Sequence, residues 1–230
     1  KKAKTKLGEL YQLGSHRLLC GDSTKEEDVN KLMDGQKADM VFTDPPYGIE
    51  YQDIKRKHLK IINDNELKIP ILLKNVLIQK CAIYVCCNWK SYSIFEKEFI
   101  KNKKNPKSCI IWDKVVGIQN LDKFYKQHEF IIYYGLFGGQ KTLDGDIWTI
   151  KRENRKDHPT SKPIELIEKA IKYTIKKNKI VQDLFGGSGS TLIACEKTNR
   201  NCYMMELDPI YCDVIIKRWE DYTGQKAKKI

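Results

Sequence analysis

The sequence predicts an α/β fold, a largely parallel sheet with helices on both faces. Three observations predict it. Short apolar runs alternate along the chain with longer amphipathic segments, the pattern of repeated strand–helix units. Two of those runs end in turn motifs, one rich in proline and one in glycine, where open α/β sheets place their ligands. The 230 residues, 41% of them hydrophobic, suffice for one large domain with a proper core.

Each element has its own reason. Arg17 to Cys20 reads as a short strand closed by Gly21-Asp22-Ser23, and Lys25 to Met33 as a helix. Asp39 to Thr43 is an apolar strand running into prolines. Residues 49 to 66 have no periodicity and read as a mobile basic loop. Leu67 to Gln79 reads as a helix with Pro70 near its start, Cys81 to Cys87 as a strand, and Ser91 to Lys101 as a helix. Ser108 to Trp112 and His128 to Tyr134 read as strands, and residues 135 to 160 as irregular and polar. Thr160-Ser161 leads into a helix over Lys162 to Lys177, with Pro163 in its first turn. Ile180 to Phe185 and Asn201 to Glu206 are strands, each followed by a helix, Ser190 to Lys197 and Pro209 to Tyr222. No internal repeat interrupts this order.

Composition excludes several classes. No apolar run approaches the roughly 20 residues of a membrane span, and Lys1 to Lys6 is basic without an apolar segment behind it, unlike a secretory signal. The formal net charge of +12 points to a polyanionic partner, nucleic acid foremost, with a lysine-decorated surface as the alternative. None of the eight cysteines forms a CxxC pair, and no Cys/His cluster has zinc spacing. Buried thiols in a reducing cytoplasm account for them, and no metal is expected.

The most informative stretch is Thr43-Asp44-Pro45-Pro46-Tyr47-Gly48. Asp44 offers carboxylate oxygens that accept a hydrogen bond, and then a proton, from an exocyclic amine. Pro45 and Pro46 fix the backbone and present carbonyls without N–H groups. Tyr47 offers an aromatic face for stacking a base. A proline turn ending a strand is the alternative reading.

The second motif is Asp183-Leu184-Phe185-Gly186-Gly187-Ser188-Gly189-Ser190-Thr191. Its glycines allow a tight turn and close approach of a ligand to the backbone. No lysine follows in P-loop register, and the spacing is not GxGxxG. Glu206 lies 20 residues after Gly186 at the end of the next strand, where a carboxylate holds ribose hydroxyls; a helix-terminal charge is its other reading. A glycine loop without a phosphate lysine, together with a ribose acid, fits a non-phosphorylated nucleoside cofactor such as S-adenosyl-L-methionine.

With these residues in place the chain resembles the amino-methyltransferases of DNA, in the permuted (beta) class where Asp44-Pro45-Pro46-Tyr47 precedes the glycine-rich segment. His158-Pro159-Thr160-Ser161-Lys162-Pro163 resembles the segment just before the cofactor motif, and Gly21-Asp22 the strand end that holds the adenine. The likeness runs roughly from Leu7 to the end. It is strongest to prophage modification methylases, some of which follow a ParB-like domain, so the chain reads as one methyltransferase domain cut from a longer protein.

The resemblance implies a Rossmann-like methyltransferase fold with one antiparallel strand and a circularly permuted motif order. It implies transfer of a methyl group from S-adenosyl-L-methionine to the N6 amine of a flipped-out adenine in DNA. Asp44, Pro45, Pro46 and Tyr47 are the implied catalytic residues. Asp22, Asp44, Thr160, Ser161, Lys162, Phe185, Gly186, Gly187, Ser188, Gly189 and Glu206 are the implied cofactor-binding set. A short recognition segment falls at about 113–157. Lys55, Arg56, Lys57, Lys151, Arg152 and Arg155 are candidate phosphate contacts, with a solvated surface as the alternative. His58 and His128 are not required as bases, and Trp112 reads as core. A homodimer, a place in a restriction–modification system and a cytoplasmic, nucleoid-associated location complete the expectation. The rivals are cytosine N4 methylation, RNA methylation and a catalytically silent DNA-binding subunit.

Overall fold

The computed structural model describes residues 3–47, 69–120, 123–135, 144–152 and 161–230. The candidate residues Gly48, Lys55, Arg56, Lys57, His58, Arg155, His158 and Thr160 lie outside them. Among the described residues ten strands form one sheet in the order β10-β1-β2-β9-β8-β3-β4-β6-β5-β7. Its parallel heart comprises β2 (His16–Cys20), β9 (Asn201–Glu206), β8 (Ile180–Asp183), β3 (Met40–Thr43) and β4 (Ala82–Cys87). Beside β4, β6 (Lys123–Tyr134) runs antiparallel, followed by β5 (Ser108–Asn120) and β7 (Ile147–Thr149). At the other edge β1 (Leu10–Leu13) is antiparallel to β2 and is joined by β10 (Lys228–Lys229). The expected single reversed strand is β6; β1, which the sequence reading passed over, is a second.

The strands bury both faces, as a parallel sheet between helices must. Met40, Phe42, Tyr84 and Met204 point to one core, with Leu166, Ile167, Ala170, Ile171, Leu192, Cys195, Ile215 and Trp219. Those residues belong to α4 (Ile164–Thr174), α5 (Ser190–Thr198) and α6 (Pro209–Thr223). Val41, Ile83 and Val85 point to the other, against α1 (Glu26–Met33), α2 (Ile69–Leu77) and α3 (Tyr92–Lys101). Pro70 sits in the first turn of α2, where its missing N–H costs nothing.

Two expectations need correction. The strands expected at Ser108 to Trp112 and His128 to Tyr134 extend into a long hairpin with register shifts beyond Asp113. Lys-, Gln- and Asn-rich residues hid it, because a ribbon that leaves the sheet does not need an apolar face. The stretch read as irregular holds β7, whose Trp148 is buried while its neighbours are exposed. The last β4–β6 pair is Cys87 with Phe130, so the seven preceding residues of β6 project past the carboxyl ends of the parallel strands, about 20 Å at 3.3 Å per residue.

Among the described residues no helix is long and apolar enough to cross a membrane, and no group of three His, Cys, Asp or Glu is placed to hold a metal ion. All eight cysteines are free.

Candidate active site

The carboxyl ends of four adjacent strands collect the motifs. Strands β3 and β8 are neighbours, Met40 pairing with Val181 and Val41 with Gln182. The proline motif therefore emerges beside the glycine loop, although 139 positions separate Asp44 from Asp183 in sequence. Thr43 Oγ1 donates to Asp183 Oδ1 at 3.0 Å and joins the two motifs directly. Asp183 also accepts from Thr191 Oγ1 at 2.6 Å and from the Phe185 N–H at 3.1 Å. Its buried carboxyl thus ties β3, the loop and α5 together. Burial pushes that carboxyl up to about 7, against the pull of these three donors.

The loop needs its glycines. A Cβ on Gly186 would lie 2.8 Å from Met204 Cγ and Sδ, and Gly189 turns into α5 with φ +79°. Phe185 packs partly buried against the core. Ser188 Oγ lies 2.8 Å from Ser161 Oγ, which also reaches Ser190 Oγ at 3.1 Å. Arg218, from α6, donates to the Ser188 carbonyl at 2.9 Å and fixes the loop from below. The sequence reading had no signal for Arg218, one more basic residue on a surface helix.

Glu206 ends β9, beside β8. Its Oε2 accepts the Gly187 N–H at 2.7 Å and its Oε1 the Asp208 N–H at 2.9 Å. The Leu207 N–H also bonds this carboxylate, which with about four acceptor positions in all keeps room for a ribose hydroxyl. Burial raises its carboxyl to about 7, while the backbone donors of Asp208 and Gly187 oppose that. Asp22 lies two residues past the end of β2, and the preceding Gly21 N–H donates to the Glu206 carbonyl at 3.0 Å. Asp22 Oδ1 accepts from Thr24 N and Oγ1 at 3.0 and 2.8 Å.

Asp44 sits among charges. Tyr47 donates its hydroxyl to Asp44 Oδ1 at 2.5 Å, and Lys162 donates to Asp44 Oδ2 at 2.5 Å. Pro45 between them is buried. The Tyr47 ring stands edge-on to Phe95 with 6.5 Å between centroids. Lys162 is 7% exposed and precedes α4. Its ammonium also reaches the Tyr47 oxygen at 3.1 Å and Glu129 Oε2 at 3.2 Å. Lys114 donates to Glu129 Oε1 at 2.8 Å. Burial alone would raise the Glu129 carboxyl, but Lys162 and Lys114 outweigh it and hold it at about 2. Burial alone would lower Lys162, and Asp44 and Glu129 raise it instead.

Lys162, one of the expected cofactor residues, thus lies on the Asp44 carboxylate. Glu129 and Lys114 were not singled out in the sequence. Glu129 stands next to His128, and strand alternation separates them: Glu129 faces the cluster, while His128 is exposed with its ring 5.2 Å from Phe130. Trp112 is buried and donates to the Ile150 carbonyl at 2.8 Å. Lys151 is exposed and Arg152 half-buried, just past the end of β7. Since β7 parallels β5, they emerge on the same edge of the sheet as Asp44.

The chain is similar to several known DNA methyltransferases. Residues 138–218 match the model of a DNA methylase family covering N6 and N4 methylases. The type II methyltransferase M.HinfI of Haemophilus influenzae is 38% identical over 82% of this chain and 64% of its own length, so the chain spans just under two thirds of it. M2.MboI of Moraxella bovis is 24% identical over 80% of this chain and 81% of its own. Among solved structures, the cytosine-N4-specific PvuII DNA methyltransferase superposes with a TM-score of 0.71 at 15% identity, covering 93% of this chain and 89% of that one. The M1.HpyAVI–SAM complex gives 0.67 at 20% identity, covering 87% and 98%. The fold is that of the S-adenosylmethionine-dependent DNA methyltransferases.

Proposed function

We propose that this protein is a DNA methyltransferase that uses S-adenosyl-L-methionine to methylate the N6 amine of adenine. One observation carries the reading: a carboxylate–tyrosine pair at the end of β3 is bonded through Thr43 and Asp183 to a glycine loop at the end of β8. An amine acceptor and a nucleoside site therefore share one rigid edge.

The residues fit the cofactor. Glu206 keeps an acceptor position for a ribose hydroxyl, Gly186 lets the loop pack directly on Met204 while the Gly187 N–H holds Glu206, and Asp22 lies just past the adjoining strand end where an adenine would be held. When bound, S-adenosylmethionine would supply an electrophilic sulfonium methyl group, with its thioether sulfur as the leaving group that takes the electron pair.

The protein's own residues supply positioning. The target base lies outside the duplex when it reacts. Tyr47 offers its ring as a stacking surface and uses its hydroxyl to orient Asp44. Asp44 accepts a hydrogen bond from the base amine, turns its lone pair toward the methyl group and takes the proton that nitrogen releases. Alignment of this kind is worth about 7–11 kcal/mol. The β5–β6 hairpin and the Lys151–Arg152 segment leave the sheet on this edge, where a polyanion would approach. An acid before Pro-Pro-Tyr favours adenine over cytosine by resemblance; a homodimer and a place in a modification system belong to the same reading.

The test is incubation with unmethylated duplex DNA and S-adenosylmethionine at low salt, then mass spectrometry of the nucleosides. N6-methyladenine, absent with Asp44→Ala, is the expected product. N4-methylcytosine would move the reading to the other base, and no methylated nucleoside would refute it.

A further inference from the structure

Lys162 has three N–H donors, and each meets an oxygen: Asp44 Oδ2 at 2.5 Å, the Tyr47 hydroxyl at 3.1 Å and Glu129 Oε2 at 3.2 Å. Glu129 is itself held by Lys114 at 2.8 Å. Charges alternate along this chain, negative on Asp44, positive on Lys162, negative on Glu129 and positive on Lys114. All four side chains are buried or largely so. The backbone is strained beside the last of them. Val115, a β-branched residue, has φ +68° where the hairpin register shifts, and bulges of this kind re-aim neighbouring side chains.

Resting on the methyltransferase reading, we propose that Glu129 is a positioning residue for methyl transfer: it shares the Lys162 ammonium with Asp44, and Lys114 anchors it there. The reason is electrostatic. The accepting nitrogen becomes positive as the methyl group arrives. A carboxylate paired with its own lysine presents no net charge to that nitrogen. A second carboxylate on the same ammonium draws off part of its field, so Asp44 keeps more of its negative charge toward the nitrogen while Lys162 still orients it, and Lys114 pairs with Glu129 rather than with Asp44. The second lysine keeps the cluster neutral in the folded protein, where an uncompensated buried charge is costly.

The groups facing Lys162 are the Asp44 and Glu129 carboxylates, the Tyr47 hydroxyl and the Cys86 thiol. Burial foremost pushes both Tyr47 and Cys86 well up, so neither carries charge near neutrality. Among the described residues, the two carboxylates are what keep Lys162 protonated. Removing one lets burial lower it.

The experiment measures kcat, KM for DNA and cofactor Kd of the full chain from about pH 6 to pH 10, for wild type and Glu129→Gln. The expected result is a kcat lower by about 10- to 100-fold, a cofactor Kd unchanged within about twofold, and a basic limb in kcat that wild type lacks. The double variant Lys114→Met/Glu129→Gln removes the charge imbalance, and is expected to regain thermal stability without regaining kcat. It carries the same test if the single variant does not fold. A Glu129→Gln kcat within about twofold of wild type at every pH would overturn the proposal. So would full recovery of kcat in the double variant, which would make Glu129 a structural counter-ion only. Wild-type protein that transfers no methyl group would remove the enzymatic reading and this proposal together, so the two failures are told apart.

Discussion

Changing the pH from about 6 to 8 is expected to strengthen nucleoside binding while weakening the ligand-free fold, and Glu206 is the reason. Burial raises its carboxyl from an ordinary 4.5 to about 7. At pH 6 about one such group in ten is ionised, and at pH 8 about nine in ten. The ionised form is the better acceptor for a ribose hydroxyl, so affinity should rise about tenfold across that interval. Titration calorimetry with 5′-methylthioadenosine isolates the effect, because that ligand has no amino-acid groups to titrate. Glu206→Gln should bind weakly and without pH dependence. Folding moves the other way. A carboxyl whose folded pKa is raised contributes stability that is present below about 4.5 and lost as pH rises through about 7. Asp183, raised by burial to about 7, acts in the same sense. Together, with rises from 4.5 and 3.8 to about 7, they set an upper bound of about 8 kcal/mol, at about 1.4 kcal/mol for each tenfold in acidity. Urea unfolding of the ligand-free chain at pH 5 and 8 reads it. An affinity that is flat or falls from pH 6 to 8, with Glu206→Gln equal to wild type, would refute the assignment.

Tyr47→Phe keeps the ring and removes the 2.5 Å bond to Asp44. Bonds to charged groups contribute about 1.5–3 kcal/mol, so kcat/KM should fall by about 10- to 100-fold, and further in Tyr47→Ala; steady-state kinetics with a change under about twofold for Phe would leave the hydroxyl without a role. Gly186→Ala places a Cβ 2.8 Å from Met204, and such overpacking costs about 1–3 kcal/mol, to be read as a lower urea midpoint. Lys151→Ala should weaken DNA binding uniformly across sequences and flatten the log Kd against log salt plot by about one unit, while an unchanged slope would return Lys151 to the solvated surface.

Much of the fold was readable because the five parallel strands are short apolar runs bounded by glycine, proline, aspartate or asparagine, and each is followed by a helix. The hairpin was not. Its outer half is stabilised by pairing rather than by burial: Phe124 is 98% exposed and Tyr125 61%, and neither pattern nor propensity marks such a ribbon. Strand β1 was missed because its Leu10 and Leu13 are buried while Tyr11 and Gln12 between them are partly exposed, too short a run to signal a period.

For the site, local chemistry was enough where a motif does its work within a few residues. Asp44, Pro45, Pro46, Tyr47, the glycine loop and Glu206 each declare themselves by residue type, spacing and position at a strand end. Their assembly needed only the rule that such strands lie side by side. What the sequence left open are the contacts between elements far apart in the chain. Glu129 reaches Lys162 across 33 positions, and Arg218 reaches Ser188 across 30. No local pattern encodes such pairs, because a buried ion pair is selected by the low dielectric and geometry of the place where two elements meet. Residue chemistry determined what this protein can hold; the packing of β5, β6 and the start of α4 decided which charges stand behind Asp44.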